Sequence, residues 1–396
     1  MSTSSFTQDT IIVTGGNGYI ASMFITRMLY SSNKNIIAFV RSLKAEEECY
    51  ARIENELHHL GLSLRDIMPN RIRVLIVDET MSTENIHKRI DQRIQPDNVT
   101  MFFHAAGCKD CFDIDLLTQA NVFYTERMLA VAESLNVDHF YYLSTTYCVG
   151  LRTHTIDEIF YEEPAQAVSN YAASMIQAEK RVHDSSLSTT IIRTSNVIGD
   201  SQTGRYSGKN YGLYACLNDL AEFILSNSNQ QLHIISTSHR VNFIYQDVLM
   251  DALYSMILSE FRDEVIHIVS DYETSPTIEQ LWKMWLSAVS NFKYVYTYEG
   301  VNALPSKNST HFQQDALRRV HLFLEVAANE WQFSNEKIKQ NMLPNYSHKS
   351  VTEEGVKTCL AYTFCNHPRL RANREDEKRE EINLDIFRNA CENMTA

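Results

Sequence analysis

The sequence predicts an α/β fold in which a doubly wound parallel sheet is followed by a smaller, mostly helical lobe. In the first half, short runs rich in β-branched residues alternate with longer amphipathic segments. The short runs are apolar on both faces, which is typical of parallel strands covered by helices on each side. After about residue 200 the alternation weakens. We therefore assign residues 1–200 to the sheet domain and 201–396 to the lobe, with 240–270 returning to the sheet.

The elements follow in order from their local patterns. The first strand is predicted over TIIVTGG (10–16), and helical spacing begins in the following YIASMFITRMLYSS. Further strands are predicted in NIIAFVRS, IRVLIVDE, VTMFFHAAG, HFYYLST and TTIIRTSNVIG, with a long helix over DIDLLTQANVFYTERMLAVAESLNV. In the second half, HRVNFIYQDVLMDALYSMI predicts a strand leading into a helix capped by Asp247. EVIHIVS then predicts a strand, and TIEQLWKMWLSAVSNF an amphipathic helix.

Composition and charge exclude several classes of protein. With 396 residues, 44% of them hydrophobic and 21% charged, the chain is neither disordered nor fibrous. A net charge of −13 argues against nucleic acid or an anionic membrane surface as the main partner. No apolar run approaches the ~18 residues of a membrane span, and the first residues lack the pattern of a signal peptide. We expect a cytoplasmic protein whose eight cysteines are reduced, and the oligomeric state stays open.

The segment TGGNGYIA predicts a dinucleotide site. Gly15, Gly18 and Ala21 stand in G-x-x-G-x-x-A register where a strand meets a helix. The first glycine permits a tight turn, the second lets backbone N–H groups approach a pyrophosphate, and the alanine lets the helix pack closely on the strand. Tyr19 and Ile20 open the helix whose N-terminus favours the anion. These features predict a Rossmann domain with Gly15, Gly18, Tyr19 and Ile20 at the cofactor.

The end of the second strand indicates which dinucleotide is bound. An acidic residue there would bind the ribose 2′-hydroxyl of NAD, but this chain has Arg41, with Lys44 and Arg52 close behind. A 2′-phosphate is the dianion that such cations fit, so we expect NADPH, the alternative being a surface arginine. Asp78, at the end of the third strand, is placed to meet the adenine edge or to cap a helix.

The segments HFYYLSTTYCVG and NYAASM carry the expected chemistry. A hydroxyl at the end of the strand and Tyr171 can both reach a carbonyl beside the nicotinamide ring, where the phenol donates a proton as hydride arrives. A free tyrosine has a pKa near ~10, and a lysine four residues on normally lowers it. This chain has Met175 there. Lys180 does not replace it, since at ~100° per residue it points to the opposite helix face from Tyr171.

Together these motifs resemble the extended short-chain dehydrogenase/reductase family, closest to its thioester reductase and fatty-acyl reductase branch, the male-sterility type. The resemblance spans roughly residues 10–270. It is carried by TGGNGYIA, FVRS, HAAG, ANVFYTERMLAVA, YLSTTYCVG, NYAASM, IIRTSNVIGD with the following TG, and VNFIYQDV. It implies that Thr145 orients the substrate oxygen and that Tyr171 donates the proton, with Met175 at the usual lysine position. It also implies that His104, Ala105 and Ala106 lie at the cofactor.

The resemblance also implies a substrate. It implies NADPH-dependent reduction of an acyl thioester, or of the derived aldehyde. The acyl group would be carried on a phosphopantetheine arm of a carrier protein or of coenzyme A. Ser144, Tyr147 and Asn196 are expected to contact the substrate. Arg240 stands where relatives of this fold hold an anionic substrate group, although a structural ion pair is the alternative.

Met175 leaves the reaction open. The enzyme reduces with an unassisted tyrosine or with a relocated cation such as Lys109. Alternatively it catalyses elimination, condensation or imine chemistry, or acts on a sugar nucleotide or small ketone. Two further alternatives are a deliberately inactivated variant, since methionine is close in shape to lysine, and a cofactor-binding protein without catalysis.

Cys108 and Cys111 have C-x-x-C spacing but lack the second ligand pair that structural zinc requires, so no metal is expected.

Overall fold

The computed structural model describes residues 9–65, 67, 71–78, 80–91, 99–109, 113–152, 154–163, 165–208, 213–215, 217–218, 232–235, 238–289, 294–297, 329–340 and 346–366. Its strands, numbered in chain order, are β1 (Thr10–Thr14), β2 (Asn35–Val40), β3 (Ile72–Ile76), β4 (Val99–His104), β5 (His139–Thr145), β6 (Thr189–Thr194), β7 (Asn196–Ile198), β8 (Leu232–Ile235), β9 (Phe243–Tyr245), β10 (Val265–Ile268) and β11 (Tyr294–Thr297). Its helices are α1 (Tyr19–Ser31), α2 (Leu43–His59), α3 (Thr83–Asp91), α4 (Ile114–Leu117), α5 (Tyr124–Ser134), α6 (Asn170–His183), α7 (Gln246–Leu258), α8 (Ile278–Val289), α9 (Glu336–Gln340) and α10 (Glu353–Asn366).

The main sheet confirms the predicted fold class. Within the described ranges it has seven strands in the order β3-β2-β1-β4-β5-β6-β10, and every neighbouring pair is parallel. Successive side chains of a strand point to opposite faces. Two apolar cores therefore form, one beneath α1, α2 and α7 and the other beneath α3, α5 and α6. Because the strand order reverses between β1 and β4, a crevice opens at their carboxyl ends, where folds of this type bind ligands.

Two features of the helices differ from the sequence prediction. The helix predicted over residues 113–137 is interrupted, because a π-helical turn at Thr118–Phe123 joins α4 to α5. Asp247 does not cap α7. Its carboxylate lies in the first turn and accepts hydrogen bonds from the backbone N–H and the hydroxyl of Ser201. Among the helices in the described ranges, none is long and apolar enough to cross a membrane.

The strand predicted over TTIIRTSNVIG is two strands. β6 ends at Thr194 and stays in the main sheet, whereas β7 starts at Asn196 and pairs with β9 in a separate two-stranded sheet. The chain therefore leaves the main sheet at Ser195 and turns toward the second half of the molecule. The domain boundary at residue 200 stays a prediction.

A C-terminal segment packs on the loop that follows β5. Ile156 donates its N–H to the carbonyl of Gln332 at 2.8 Å and accepts at its own carbonyl from the N–H of Ser334 at 2.8 Å. The indole N–H of Trp331 donates to the carbonyl of Gly150 at 3.0 Å. Residues far apart in sequence thus fix the loop between β5 and α6.

The outer edge of β10 is hydrogen-bonded by side chains. His267 donates its backbone N–H to a carboxylate oxygen of Glu158 at 2.8 Å. The ammonium of Lys337 donates to the carbonyl of Val265 at 3.0 Å. The Val265 carbonyl and the His267 N–H face away from β6. The carbonyl of Glu264, the residue before Val265, faces β6 and accepts from the N–H of Ile191. The last strand of the sheet therefore has protein partners on its open side.

A buried histidine links β1, β4 and α5. The hydroxyl oxygen of Thr14 accepts from the N–H groups of Ala105 and Ala106 at 3.1 Å each and lies 2.6 Å from Nδ1 of His104. Since it accepts twice, its proton goes to Nδ1. The ring proton is then on Nε2, which donates to the hydroxyl of Thr125 at 2.9 Å. Burial lowers the pKa of His104 to about 3, so the ring is neutral.

We predict that Thr125→Val destabilises the protein by about 1–3 kcal/mol, because it leaves the Nε2–H of His104 buried without an acceptor. Thr100→Val is the matched control: the Thr100 hydroxyl oxygen is also buried, but it has no hydrogen-bond partner among the described residues. Urea unfolding should show an unchanged free energy of unfolding for the control. Equal losses in the two variants would contradict the proposed tautomer and its hydrogen bond.

Candidate active site

The glycine loop after β1 makes a close approach to the turn after β4. Gly15 has φ 70°, and a Cβ there would lie 2.9 Å from Cα of Ala106. A Cβ on Gly18 would lie 2.8 Å from the carbonyl oxygen of Gly15. Gly18 is the N-cap of α1, and no side chain of the described residues caps it. The N–H groups of the first helical turn, which Tyr19 and Ile20 begin, can therefore bind an anion such as a pyrophosphate.

Two residues predicted at the cofactor contact a loop from the second half of the chain. The hydroxyl of Tyr19 donates to the side-chain carbonyl of Gln246 at 2.8 Å, and its ring meets the edge of Tyr206 at 5.0 Å between centroids. The guanidinium of Arg52 donates to the carbonyl of Ser207 at 3.4 Å, and Ser207 donates its N–H to Gln246 at 3.2 Å. These contacts hold residues 206–207 beside the glycine loop and α2.

Two exposed cations lie where β2 meets α2. Ser42 caps α2 by accepting from the N–H of Ala45 at 3.2 Å. Arg41 precedes this cap and Lys44 lies in the first turn, and both side chains are exposed. The first turn of α2 also holds Glu46, an acidic residue that the partial positive charge of a helix N-terminus favours.

The other residues predicted at the cofactor lie at the ends of β3 and β4. Asp78 accepts from the N–H and the hydroxyl of Thr80 at 2.9 and 2.6 Å, and these bonds lower the pKa of its carboxyl group. Ala105 and Ala106 are half-buried opposite the glycine loop. His104 is fully buried, and both of its ring nitrogens bond threonine hydroxyls. It holds the turn from inside the protein.

Thr145 and Tyr171 lie on adjoining elements. Thr145 ends β5 and caps the 3₁₀ turn Thr146–Val149, because its hydroxyl accepts from the N–H of Tyr147 at 3.4 Å. Tyr171 lies in the first turn of α6, where Ser169 is the N-cap. Its half-buried ring packs on the apolar core that contains Cys148 of the same 3₁₀ turn. The two predicted catalytic residues are therefore held on neighbouring segments at the carboxyl edge of the sheet.

Met175 brings no charge to this edge. Its side chain is only 6% exposed, and its sulfur accepts from the hydroxyl of Tyr142 at 3.6 Å. Lys180 is exposed on the other face of α6 and pairs with Asp184 at 3.0 Å, as the helical geometry predicts. Lys109 lies exposed in the loop after β4.

Ser144, predicted to contact substrate, bonds a buried carboxylate. Its hydroxyl donates to Glu179 at 2.5 Å, and Arg193 donates to both oxygens of the same carboxylate from Nε at 3.0 Å and Nη2 at 2.7 Å. Both charged side chains are almost fully buried. Removing one partner of such a pair typically costs about 3–5 kcal/mol, because it leaves a buried charge alone. The pair was missed in the sequence, although one arginine in the apolar strand TTIIRT was its signal.

Three residues, two of them predicted to contact the substrate, meet beyond the end of β5. The side-chain amide of Asn196 donates to the hydroxyl of Tyr147 at 2.6 Å, and the Tyr147 ring lies 5.9 Å from that of Trp331. The structure thus joins two predicted substrate residues and adds a third from the C-terminal segment. Arg240 donates to the backbone carbonyl of Ser275 at 2.5 Å, so part of its guanidinium serves the fold.

Asn121, in the π-helical turn, joins the loop after β4 to α6. Its side-chain carbonyl accepts from the N–H of Cys108 at 2.7 Å, and its amide donates to the carbonyl of Cys108 at 3.0 Å. The amide also donates to the hydroxyl of Ser174 at 2.9 Å, and that hydroxyl donates to the carbonyl of Tyr171 at 2.8 Å. An asparagine inside a helix is unfavourable, which was the sequence signal for this connection.

Metal ligands do not cluster in the described part of the chain, where no group of three His, Cys, Asp or Glu could hold an ion. Cys111, the second cysteine of the C-x-x-C spacing, lies outside the described residues.

The fold and the site together define a domain that binds a nicotinamide dinucleotide. The chain belongs to the male sterility protein family, whose profile matches residues 13–253. The matched range runs from β1 into α7 and includes the glycine loop, Thr145 and Tyr171. This membership confirms the extended short-chain dehydrogenase/reductase resemblance. No curated protein sequence matches the chain.

Solved structures share the fold across most of the chain. The terminal R domain from the myxalamid PKS-NRPS biosynthetic pathway has a TM-score of 0.69 and 19% identity, covering 95% of this chain and 94% of that one. UDP-glucuronic acid 4-epimerase from Bacillus cereus, in complex with UDP-glucuronic acid and NAD, has a TM-score of 0.60 and 15% identity, covering 89% and 98%. The Bordetella bronchiseptica enzyme WbmG, in complex with NAD, has a TM-score of 0.57 and 15% identity, covering 90% and 94%.

We predict that Gly15→Ala destabilises the protein more than Gly61→Ala, by about 1–3 kcal/mol, because overpacking adds to the cost of the backbone conformation. The control isolates that backbone cost: Gly61 has φ 71° but nothing within 4 Å of an added Cβ. It should lose about 1 kcal/mol. Urea unfolding of both variants measures the difference, and equal losses would show that the glycine loop can move away from β4.

Proposed function

We propose that the protein reduces an acyl thioester to an aldehyde with NADPH as the hydride donor. The observation that carries the proposal is the position of Tyr171 and Thr145 on adjoining segments, at the sheet edge that also holds the glycine loop. Family membership supports an oxidoreductase of this class. The likeness to a terminal R domain of a PKS-NRPS pathway supports a thioester as substrate.

The choice of NADPH rests on Arg41 and Lys44. Both are exposed cations at the N-terminus of α2, next to the end of β2, where the ribose 2′ position lies in folds of this type. A 2′-phosphate carries the charge that this place favours, and a guanidinium can bind it through two parallel hydrogen bonds. A 2′-hydroxyl would leave the cations without a partner.

The hydroxyls of Thr145 and Tyr171 would act on the substrate carbonyl oxygen. When bound, NADPH would supply the hydride to the carbonyl carbon, and negative charge would develop on the carbonyl oxygen. Hydrogen bonds from the two hydroxyls stabilise the oxyanion. Collapse of the tetrahedral hemithioacetal then restores the C=O bond and breaks the C–S bond, which gives an aldehyde and a thiolate.

Met175 favours this substrate over an aldehyde or ketone. A thiolate is a good leaving group, since the pKa of a free thiol is about 8.5. The hemithioacetal oxyanion can therefore collapse without first taking a proton. An aldehyde has no leaving group, so its reduction requires a full proton transfer from the tyrosine. With a buried thioether in place of the lysine, Tyr171 is suited to stabilising an oxyanion and poorly suited to donating its proton.

The thiol part of the substrate would be a phosphopantetheine arm. We assign it to a carrier protein or to coenzyme A, and both present the acyl group on a long flexible chain. We assign the entry side of such an arm to Asn196, Tyr147 and Trp331, which contact one another. An acyl-carrier substrate would make the aldehyde the released product.

We predict that Arg41→Ala lowers kcat/KM for NADPH about 10–100-fold and leaves kcat/KM for NADH within about twofold, because charge-assisted hydrogen bonds contribute about 1.5–3 kcal/mol. Arg262→Ala is the control, since Arg262 precedes β10 and lies at the opposite, amino edge of the sheet. Steady-state rates with each cofactor give the ratio. An unchanged NADPH/NADH ratio would remove the basis for the 2′-phosphate.

We predict that Met175→Lys raises aldehyde reduction at least about 10-fold, because general acid catalysis by a positioned group contributes about 10²–10⁴-fold. Thioester reduction should change by less than about threefold, because it does not require a proton from Tyr171. Met175→Gln is the neutral control and should raise neither rate. NADPH oxidation with matched acyl thioesters and aldehydes measures both.

Three results would count against the proposal. If Met175→Lys raises both rates equally, Tyr171 acts as an ordinary general acid and the methionine merely impairs it. If the lysine abolishes activity, Met175 belongs to another chemistry. If the unchanged protein binds NADPH but reduces neither substrate, it is a cofactor-binding protein without this catalysis.

A further inference from the structure

Helix α6 presents one face to the sheet, and that face carries three residues four apart. Tyr171 lies in the first turn, Met175 one turn on, and Glu179 one turn further. Met175 and Glu179 are buried. Of these two, Met175 is held by packing in the apolar core and by its sulfur contact to Tyr142. Glu179 makes charged hydrogen bonds.

The Glu179 carboxylate joins α6 to both neighbouring strands. It accepts from Ser144 of β5 at 2.5 Å and from Arg193 of β6 at 2.7 and 3.0 Å. Ser144 is the residue before Thr145. Arg193 also donates from Nη1 to the carbonyl of Ile159 at 3.1 Å, in the loop that leads to α6. One ion pair therefore contacts β5, β6, α6 and the loop that leads to α6.

Directional bonds restrict this helix in a way that apolar contacts do not. Hydrophobic burial is non-directional, so packing alone allows small shifts of a helix along its axis. The carboxylate and the guanidinium meet through several hydrogen bonds of fixed geometry. Stability does not explain the pair, because apolar residues of similar volume are often as stable as a buried ion pair.

We propose that Glu179 and Arg193 are positioning residues, which hold α6 in register with β5 and so set the separation of the Tyr171 and Thr145 hydroxyls. The catalytic part of this inference rests on the proposed function, whereas the geometric part does not. Position 175 holds a methionine in this chain. The Glu179–Arg193 pair therefore anchors the helix by charge, and the residue at position 175 does not.

The test replaces the pair by apolar residues. Glu179→Met combined with Arg193→Met should keep the urea midpoint and the affinity for NADPH. It should lower kcat for the acyl thioester about 10–100-fold with KM changed by less than threefold, since small misplacements of reacting groups cost about this much. The control removes the exposed ion pair on the outer face of α6, through Arg181→Met with Glu126→Met. It should leave kcat unchanged.

Two further measurements make the result decisive. Ser144→Ala removes only the bond to β5, and it should lower kcat about 3–10-fold in a folded protein even if the double variant fails to fold. NMR of isotope-labelled tyrosine, with the Tyr171 signal assigned from Tyr171→Phe, should show a shifted signal in both Ser144→Ala and the double variant without any substrate.

The outcomes separate the two proposals. An unchanged Tyr171 signal together with full kcat in a folded variant overturns the positioning role. A chain that reduces no thioester at all overturns the proposed function instead. In that case the Tyr171 signal still decides: a shift in the variants supports the positioning role, and no shift overturns it.

Discussion

The hydroxyl of Thr14 is the interaction on which the site is built. It lies at the end of β1, where the strand order reverses, and it binds the two N–H groups of the turn after β4. By giving its own proton to His104 it also fixes the tautomer through which that ring reaches α5. The glycine loop can therefore approach the β4 turn closely, and the crevice between the two strand ends keeps one shape. Neutral donors and acceptors, each satisfied, hold this point without any buried charge.

Charge appears instead at two places with different environments. At the end of β2 the cations Arg41 and Lys44 are exposed. Beneath the end of β5 the charges of Glu179 and Arg193 are buried and face each other. Met175 lies in an apolar core, where a single ammonium would be costly to bury. The chemistry we propose, in which a thiolate leaves by itself, is the kind that such an uncharged position supports.

The sequence predicted the fold well, because the strands β1, β2 and β4 are apolar on both faces and their neighbours have helical spacing. It also predicted the glycine loop, and it predicted that Thr145 and Tyr171 lie on neighbouring segments, since strand ends in a parallel sheet share one edge. It did not predict the π-helical turn, the break at Ser195 or the contacts of Ser144. Each of these is decided by partners distant in the chain.

Local pattern fails at such points for a physical reason. Asn121 is unfavourable in a helix by propensity, and it is accommodated by bonds to Cys108 and Ser174. Thr145 and Ser144 are chemically alike, and only the alternation of the strand turns one toward the crevice and the other toward Glu179. The contribution of Trp331 had no sequence signal, because its partners Gly150 and Tyr147 lie in the other half of the chain.

The side chains along the outer edge of β10 have a consequence for self-association. A strand with unpaired N–H and C=O groups is a template for another chain, and strand addition of this kind leads to aggregation. Here Glu158 and Lys337 occupy the hydrogen-bonding positions at His267 and Val265 that an added strand would require. Glu158, from the loop before α6, and Lys337, from the C-terminal segment, thus occupy this edge of the sheet without adding a strand to it. The sheet thus ends at β10 because side-chain hydrogen bonds occupy its edge, whereas a barrel removes its edges by closing.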